Sequence, residues 1–359
     1  MSNIMVGLSG GVDSSIAAYK LLQDGHRVTG LFMKNWEEDD TNEYCNATED
    51  LKDAENICKL LDIELKTINF SKEYWERVFT GFVDEYRKGR TPNPDIVCNK
   101  EIKFKEFLDW AVSLGADAIA TGHYARIEHI NGNFKLLKGL DDNKDQSYFL
   151  YTLNQKSLSH SYFPIGEMTK QTVRNQARDL SLPVHDKKDS TGICFIGERR
   201  FADFLRSYLP SDPGKILTLD GQTVGQHQGA YYYTIGQRHG LGIGGGGEPW
   251  YVVSKNVKKN LIYAVQGKQH PAMYSDSLIV QDLHWISGKR PKLPIQCMAK
   301  TRYRQPDQGC QISCTVEGET EVIFNHPQWA VATGQSIVFY DNDICIGGGV
   351  IRHTYNQDQ

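Results

Sequence analysis

The first 124 residues alternate short apolar runs with amphipathic stretches, and this alternation restricts the possible fold more than any other feature of the chain. The apolar runs predict strands at 4–8, 27–33, 64–70 and 116–124. The amphipathic stretches predict helices from Val12 to Gly25, over 47–62, up to about Tyr86 and over 100–115. Strands that alternate with helices are typical of a parallel sheet with right-handed crossovers. We therefore expect an α/β domain whose ligands bind at the carboxyl ends of the strands, after Leu8, Met33 and Ala120.

The pattern changes near residue 205, where glycines multiply and short alternating segments replace the helices. The 359-residue chain is long enough for two or three domains. We expect an α/β domain over 1–204, a small central domain over 205–272 and a C-terminal antiparallel β-barrel over 273–359. Glycines 242, 244 and 247 fit the spacing of a dinucleotide-binding motif, but no helix pattern follows them, which favours a flexible loop.

Composition and charge favour a cytoplasmic protein without a membrane partner. The sequence shows neither a leader with a basic and then an apolar part nor an apolar run of about 18 residues, so no signal peptide or membrane span is expected. The eight cysteines are scattered, as is typical of reduced thiols in a cytoplasm. The net charge of −4 argues against a globally basic nucleic-acid binder.

Basic residues are nevertheless concentrated between Ser287 and Arg304, in a run with six lysines or arginines and no acidic residue. A solvated basic face is the simplest interpretation of this run. Tyr303 lies between Arg302 and Arg304, however, so a stacking ring accompanies phosphate-binding charges in a way that suits RNA. Both interpretations stay open on these residues alone.

The segment SGGVDS at 9–14 lies between the first predicted strand and the first predicted helix, and it predicts an anion site. Its glycines let backbone N–H groups approach an anion, the helix N-terminus favours negative charge, and the serine hydroxyls add donors. The lysine of the common nucleotide-binding phosphate loop is absent, so this loop is of another kind. A plain tight turn is the alternative interpretation.

A second unusual segment is TPNPDIVCNKEIKF at 91–104. Its two prolines predict a loop, because proline disrupts both regular helices and central strands. Cys98 follows this loop at the start of a predicted helix, where the helix dipole and the nearby Lys100 favour a thiolate. Asp95 precedes it by three positions and could serve as an acid or a base. An ordinary buried cysteine is the alternative for Cys98, and more so for Cys194, which lies between two apolar residues.

Several blocks taken together resemble one enzyme family. GLSGGVDS at 7–14 resembles the pyrophosphatase loop of ATP enzymes that release pyrophosphate and leave AMP on a substrate oxygen. With GRTPNPDIVCNKEIKF, ATGHYAR, NKDQSYFLY, KKDSTGICFIGER, YTIGQRHGLGIGG and KTRYRQ, nearly the whole chain resembles bacterial tRNA-specific 2-thiouridylase. The resemblance implies an N-terminal domain of the adenine-nucleotide α-hydrolase type. It also implies an enzyme that adenylates the carbon 2 oxygen of the wobble uridine in tRNA and then transfers sulfur from a cysteine persulfide to give 2-thiouridine.

The resemblance also assigns roles to individual residues. Cys98 would be the nucleophile and Cys194 the persulfide carrier, with a disulfide between them after sulfur release. ATP, with Mg²⁺, would be held by Gly7, Leu8, Ser9, Gly10, Gly11, Val12, Asp13, Ser14, Met33 and Gly122. The tRNA would be held by Asn93, Pro94, Asp95, His123, Lys144, Asp145, Gln146, Arg302, Tyr303 and Gln335. The expected partners are wobble-uridine tRNAs for Lys, Glu and Gln, and a sulfur donor such as a cysteine desulfurase or a sulfur-relay protein.

Two other classes of function remain open. A different enzyme of the pyrophosphatase-loop superfamily, such as an amidating or ligating synthetase, would form AMP without RNA or sulfur. A nucleotide-gated RNA-binding or sulfur-carrying protein would bind tRNA without releasing pyrophosphate. A zinc site made of Cys297, Cys310, Cys314 and Cys345 lacks the C-x-x-C spacing of such sites, so no metal ligand in the chain is expected.

Overall fold

A five-stranded parallel sheet forms the base of the first domain in the computed structural model, which describes residues 1–37, 46–188 and 201–356. The strands of this part of the chain are β1 (Asn3–Gly7), β2 (Arg27–Lys34), β3 (Leu65–Asn69), β4 (Ala118–Ala120), β5 (Ala125–Ile130), β6 (Asn133–Lys138) and β7 (Ser161–Tyr162). Five of them pair in parallel in the order β3-β2-β1-β4-β7. The predicted parallel sheet is therefore confirmed.

The helices of the described residues are α1 (Val12–Gln23), α2 (Asn46–Leu61), α3 (Ser71–Tyr74), α4 (Thr80–Arg87), α5 (Pro94–Cys98), α6 (Phe107–Ser113), α7 (Gln155–Ser159), α8 (Lys170–Asp179) and α9 (Phe201–Arg206). Helices α1, α2, α6 and α7 contact strands of this sheet, and α8 packs on α1. Two π-helical stretches, Trp75–Phe79 and Asn99–Glu106, join α3 to α4 and α5 to α6. In β1, Met5 packs into one apolar cluster, whereas Ile4 and Val6 pack into another, as expected for a strand buried on both faces. Among the described residues, no helix is long and apolar enough to cross a membrane.

Part of the segment 91–98 is a helix, so the loop predicted from its prolines is wrong over residues 94–98. Helix α5 begins at Pro94, directly after Asn93, whose side-chain oxygen accepts a hydrogen bond from the first turn. Proline is tolerated at this position because the N–H that it lacks would have no partner within the helix. Cys98 is the last residue of α5 and not its first. The dipole at the helix N-terminus therefore acts more strongly on Asp95 than on the Cys98 thiol, which corrects the predicted cause of a thiolate.

The rest of the chain is built mainly from strands. These are β8 (Gly214–Leu217), β9 (Thr223–His227), β10 (Trp250–Asn256), β11 (Leu261–Gln266), β12 (Tyr274–Trp285), β13 (Ile295–Lys300), β14 (Gln308–Cys314), β15 (Thr320–Trp329), β16 (Ser336–Asp341) and β17 (Ile344–Tyr355). Strands β8 to β11 form a small sheet in the order β10-β11-β8-β9. Strands β12 to β17 form an antiparallel barrel, β12-β15-β14-β13-β16-β17, which closes because β12 also pairs with β17. The predicted central domain and barrel are confirmed.

One hairpin of the first domain belongs to the sheet of the barrel. Strands β5 and β6 pair with each other, and β6 then pairs with β17, where Leu136 stands opposite Cys345 and Leu137 opposite Ile344. The barrel and the hairpin therefore form one eight-stranded sheet that spans two domains. The sequence analysis assigned no element to residues 125–138.

Candidate active site

The turn between β1 and α1 has the shape that an anion site needs. Gly10 has a φ of +69°, and a Cβ atom there would lie 2.5 Å from the backbone oxygen of Asp50. The Ser14 hydroxyl donates to the Gly11 oxygen at 3.1 Å and accepts from the Ser9 N–H at 3.3 Å. In the described part of the chain, no side chain caps the first turn of α1. The backbone N–H groups of the first turn of α1 are therefore available to an anion.

Two further predicted nucleotide-binding residues lie beside this turn. A Cβ atom at Gly122 would lie 2.7 Å from the backbone nitrogen of Ser14, so glycine allows the segment after β4 to approach the turn this closely. The methyl carbon of Met33 lies 3.2 Å from the position of a Cβ atom at Gly7. The chain leaves the sheet after β4 to make this approach, which is why β4 is shorter than the strand predicted from the sequence.

Three of the predicted turn residues direct their side chains inward. Leu8 and Val12 are buried in apolar clusters. The Asp13 carboxylate accepts hydrogen bonds from Lys170 Nζ at 2.7 and 2.8 Å and from the Tyr124 hydroxyl at 2.8 Å. These three residues would therefore offer a nucleotide their backbone. Lys170 was not predicted from the sequence, because it stands 157 positions from Asp13 and no local signal connects the two.

A second lysine reaches the turn from outside it. Lys187 Nζ donates to the Gly10 backbone oxygen at 3.1 Å, to Asp50 at 2.7 Å and to Asp53 at 2.5 Å. Burial lowers the pKa of Lys187, but the hydrogen bonds that its ammonium donates to Asp50 and Asp53 outweigh this effect and raise the pKa above its ordinary value. The ammonium is therefore charged at neutral pH. Lys187 lies in the block KKDSTGICFIGER, but no local pattern there indicated its contact with the turn.

Of the two predicted catalytic cysteines, the structure describes only Cys98. Cys98 is buried, with 2% of its surface exposed. Lys100, which was expected to support a thiolate there, is largely exposed and pairs with the Glu101 carboxylate at 3.5 Å. Cys194 lies outside the described residues. Its role and its pairing with Cys98 stay predictions.

Asp95 and His123 share one electrostatic neighbour, Lys103. Burial raises the pKa of the Asp95 carboxyl, and the charge of Lys103 partly opposes this. Burial, assisted by Lys103, holds the pKa of His123 well below its ordinary value. His123 Nδ1 lies 2.7 Å from the Thr121 hydroxyl. Because His123 follows Gly122, these residues adjoin the turn between β1 and α1, the predicted phosphate turn.

All three domains meet at Thr91, immediately before α5. The Gln335 amide donates to the Thr91 oxygen at 2.8 Å and lies 3.5 Å from the Pro92 oxygen. The Thr91 N–H donates to the Thr333 oxygen at 2.9 Å, and its hydroxyl lies 3.4 Å from that of Thr234 in the central domain. The structure therefore places Gln335, a predicted RNA contact, on the backbone that leads into α5, the helix that carries Asp95 and Cys98.

The predicted RNA-contact segment 144–146 is mostly engaged with the protein itself. The Asp145 carboxylate is buried and accepts hydrogen bonds from the Gly139 N–H at 3.1 Å and from the Ser147 N–H and hydroxyl at 3.0 Å each. Gln146 Oε1 accepts from the Tyr124 N–H at 2.9 Å. We conclude that Asp145 shapes this segment from within and does not offer its carboxylate to a ligand.

Arg302 is also directed inward. Its guanidinium donates to the Ile235 oxygen at 3.0 Å and to the Ala330 oxygen, and it lies 5.5 Å from the centre of the Trp329 ring. Burial lowers its pKa. Arg302 thus joins the barrel to the central domain.

Tyr303 lies on the side of the barrel that faces the first domain. Its ring is half-buried, with its centre 4.4 Å from that of Phe149. The guanidinium of Arg304, which is exposed, lies 5.9 Å from the centre of the Tyr303 ring. Phe149 in turn accepts a hydrogen bond at its backbone oxygen from Asn99, the residue after Cys98, at 3.1 Å. Tyr303 is therefore connected through Phe149 to Asn99, which directly follows α5.

The basic run 287–304 is consequently not one face. Lys300 is inside, 3.5 Å from Asp145 and 3.7 Å from Asp307. Three exposed charges, Lys289, Arg290 and Lys292, precede β13, whereas Arg304 follows it. The strand separates the two groups, so only Arg304 among the exposed charges lies at the end near Tyr303.

The cysteines of the barrel are spread over different strands. Cys297 and Cys310 stand opposite each other on β13 and β14, with their sulfur atoms 3.7 Å apart. Cys314 is exposed and accepts a hydrogen bond from Arg290 at 2.7 Å, and Cys345 is buried near β6. Within residues 1–37, 46–188 and 201–356, no three His, Cys, Asp or Glu side chains are grouped to hold a metal ion.

Family models match the chain in three consecutive regions. Residues 2–198 match a tRNA methyl transferase HUP domain, residues 202–266 a tRNA methyl transferase PRC-barrel domain, and residues 275–351 an aminomethyltransferase beta-barrel domain. Together these regions account for nearly all of the chain.

Curated relatives are similar over their full length. The chain is 58% identical over 354 residues to the tRNA-specific 2-thiouridylase of Nitrosomonas europaea, covering 98% of both chains. It is 56% identical over 354 residues to that of Idiomarina loihiensis, covering 97% of this chain and 95% of the relative. It is 53% identical over 365 residues to that of Marinobacter nauticus, covering 100% and 93%.

Proposed function

The chain belongs to the tRNA-specific 2-thiouridylase family, and we propose that it is an ATP-dependent sulfurtransferase that converts the wobble uridine of tRNA to 2-thiouridine. One relationship in the site supports this most directly. Gly122 lies against the phosphate turn, and the ring of its neighbour His123 lies 5.8 Å from that of Phe104, in the helical stretch that continues α5 beyond Cys98. A nucleotide on the turn and a base beside α5 would therefore lie in one crevice.

The first step is activation of the uridine. The carbon 2 oxygen is a poor leaving group, and its attack on the α-phosphorus of ATP would convert it to an adenylate while pyrophosphate leaves. The close approach at Gly10 and Gly122 fits phosphates held by backbone N–H groups. We propose ATP with Mg²⁺ as the nucleotide, bound by residues 7–14 together with Met33 and Gly122. The magnesium ion would balance charge on the phosphates.

The second step is sulfur transfer. A persulfide on Cys194 would deliver its outer sulfur to carbon 2, and AMP would leave with the oxygen. The Cys98 thiolate attacks the inner sulfur, so the S–S bond of the persulfide breaks, the outer sulfur stays on carbon 2, and a Cys98–Cys194 disulfide forms. An external thiol then reduces this disulfide. Asp95, whose pKa is raised by burial, is suited to exchange protons during these steps.

The uridine must leave the anticodon stack to reach this crevice, as a base does in other enzymes that act on bases. Asn93, Pro94 and Asp95 would contact its edge, with His123 and Lys144 nearby. The half-buried Tyr303 and the exposed Arg304 lie where the barrel faces the first domain, and we assign them to the anticodon region. The tRNAs for Lys, Glu and Gln are the proposed substrates. The proposed sulfur donor is a cysteine desulfurase or a sulfur-relay protein.

The decisive experiment measures pyrophosphate release and 2-thiouridine formation, with and without tRNA and a persulfide donor. Wild-type protein should release pyrophosphate only with tRNA and form 2-thiouridine only when the donor is also present. Cys98→Ser should abolish 2-thiouridine formation, whereas Cys314→Ser, at an exposed cysteine, should leave it unchanged.

The other outcomes would each contradict the proposal. Pyrophosphate release without tRNA would indicate a synthetase that acts on another substrate. Binding of tRNA without any pyrophosphate release would indicate a nucleotide-gated RNA-binding protein. Normal thiolation by Cys98→Ser would rule out the assigned nucleophile.

A further inference from the structure

The phosphate turn carries no cation of its own. The segment SGGVDS has no lysine or arginine, yet a triphosphate would bring several negative charges to it. Lys170 and Lys187 both reach this turn from the later part of the first domain. They differ in how much of each side chain is accessible: 11% for Lys170 and 34% for Lys187. Lys170 is committed to both oxygens of Asp13, so Lys187 is the better candidate to meet a ligand.

The position of Lys187 is fixed from two sides. The guanidinium of Arg174 donates to the Lys187 backbone oxygen at 3.2 Å, which holds this part of the chain against α8. Asp50 and Asp53, at 2.7 and 2.5 Å, orient the ammonium toward the turn. An ammonium has three N–H donors, and the third is directed at the Gly10 oxygen over the longer distance of 3.1 Å. A ligand can therefore replace the Gly10 oxygen as an acceptor more easily than it can replace either carboxylate.

We propose that Lys187 binds the β- and γ-phosphates of ATP, with a phosphate oxygen replacing the Gly10 oxygen as its third acceptor. This inference rests on the proposed function, because it assigns a residue to the nucleotide of that reaction. Asp50 and Asp53 keep the ammonium charged and oriented. The Lys187 side chain therefore loses little conformational entropy when ATP binds. Lys187 thus supplies the cation that other phosphate-binding loops carry in their own sequence.

The test compares ATP with AMP, because AMP lacks the phosphates that Lys187 would bind. Dissociation constants are measured by equilibrium dialysis on the full chain without tRNA. Lys187→Gln should weaken ATP binding at least about tenfold, the effect of losing one charge-assisted hydrogen bond, and change AMP binding by less than about twofold. Lys187→Arg, which keeps the charge, should retain part of the preference for ATP. Lys188→Gln changes the neighbouring exposed lysine and should leave both constants unchanged.

A triple variant separates contact from mere neutralisation. If Lys187 only cancels the charges of Asp50 and Asp53, then Lys187→Gln combined with Asp50→Asn and Asp53→Asn will restore ATP binding, and the proposal is overturned. If Lys187 contacts the phosphates, the triple variant stays weak for ATP. Equal losses of ATP and AMP binding in Lys187→Gln would also overturn it, since they would indicate a purely structural role. Wild-type protein that binds no ATP would instead contradict the proposed function itself.

Discussion

The Gln335 amide of the barrel donates a 2.8 Å hydrogen bond to the backbone oxygen of Thr91 in the first domain. Thr91 lies four residues before Asp95 and seven before Cys98. A turn of the C-terminal domain thus holds the chain at the entry to α5. This contact gives the barrel a part in arranging the proposed active site, in addition to any contact with the tRNA.

Loss of this contact should increase the mobility of α5, the helix that carries Asp95 and Cys98, in the tRNA-free protein. In Gln335→Ala, we expect faster hydrogen exchange of the backbone amides of 91–98 in the tRNA-free protein, because the hydrogen bonds to Thr91 and Pro92 are lost. The free energy of unfolding should fall by about 1 kcal/mol, as for one neutral hydrogen bond. Gln296→Ala, on an exposed part of the barrel, is the control. Unchanged exchange in 91–98 would show that Gln335 acts only on the RNA.

Replacement of Asp95 should separate stability from activity. The folded pKa of Asp95 is raised above its ordinary value of 3.8 by burial, so the unfolded chain ionises more readily than the folded one. Its contribution to stability therefore falls as the pH rises through 3.8 to the folded pKa, and it stays low at neutral pH. Asp95→Asn removes this penalty, so its free energy of unfolding at pH 7 should equal or exceed that of the wild type.

The same variant should lose thiolation about 100-fold or more if Asp95 exchanges protons in the reaction. Asp142→Asn changes an exposed carboxylate and should alter neither property. The measurements are denaturant unfolding and the single-turnover rate. An Asp95→Asn enzyme with the wild-type rate would restrict Asp95 to a structural role.

His123 should make the protein sensitive to mild acid. Its folded pKa lies well below 6.5, so below that pH the unfolded chain takes up a proton that the folded chain does not. Stability should therefore fall as the pH drops below 6.5, by up to about 1.4 kcal/mol per pH unit from this one residue. His123→Asn should reduce this slope. The slope is measured by thermal unfolding between about pH 5 and 7, the range in which an ordinary histidine titrates. His353→Asn, at an exposed histidine, should keep the wild-type slope, and equal slopes in both variants would contradict the assignment.

The two exposed parts of the basic run should differ in their effect on tRNA. Arg304 stands beside Tyr303 at the end of the barrel that packs on the first domain, whereas Lys289 lies before β13. Arg304→Gln should weaken tRNA binding and lower the dependence of log K on log salt by about one unit. Lys289→Gln should have a smaller effect on both quantities, measured by filter binding over a range of salt concentrations. A larger effect at Lys289 would place the tRNA at the opposite end of the barrel.

Sequence patterns predicted the parallel sheet, the tight turn between β1 and α1, and the barrel because these depend on local periodicity and on glycine. They failed where a contact joins distant residues. Lys187 is 177 positions from Gly10, and no short motif records that distance. The direction of a side chain was equally hidden: Asp145 and Arg302 stand in blocks that resemble RNA contacts, yet both point inward. Proline misled the prediction at Pro94 because its effect on a helix depends on its position within the first turn.

The hairpin β5–β6 has a consequence for how the protein is made on the ribosome. Its partner strand β17 begins at Ile344, far along the chain from β6, so the outer edge of β6 has no strand beside it until that later segment has been synthesised. An unpaired strand edge attracts other strands, and nascent chains that stall early would expose it to one another. A chain ended at residue 272 should therefore associate in sedimentation experiments, and the addition of charge on β6, for example Leu137→Lys, should reduce that association. The order of synthesis therefore exposes each nascent chain to association through the unpaired edge of β6.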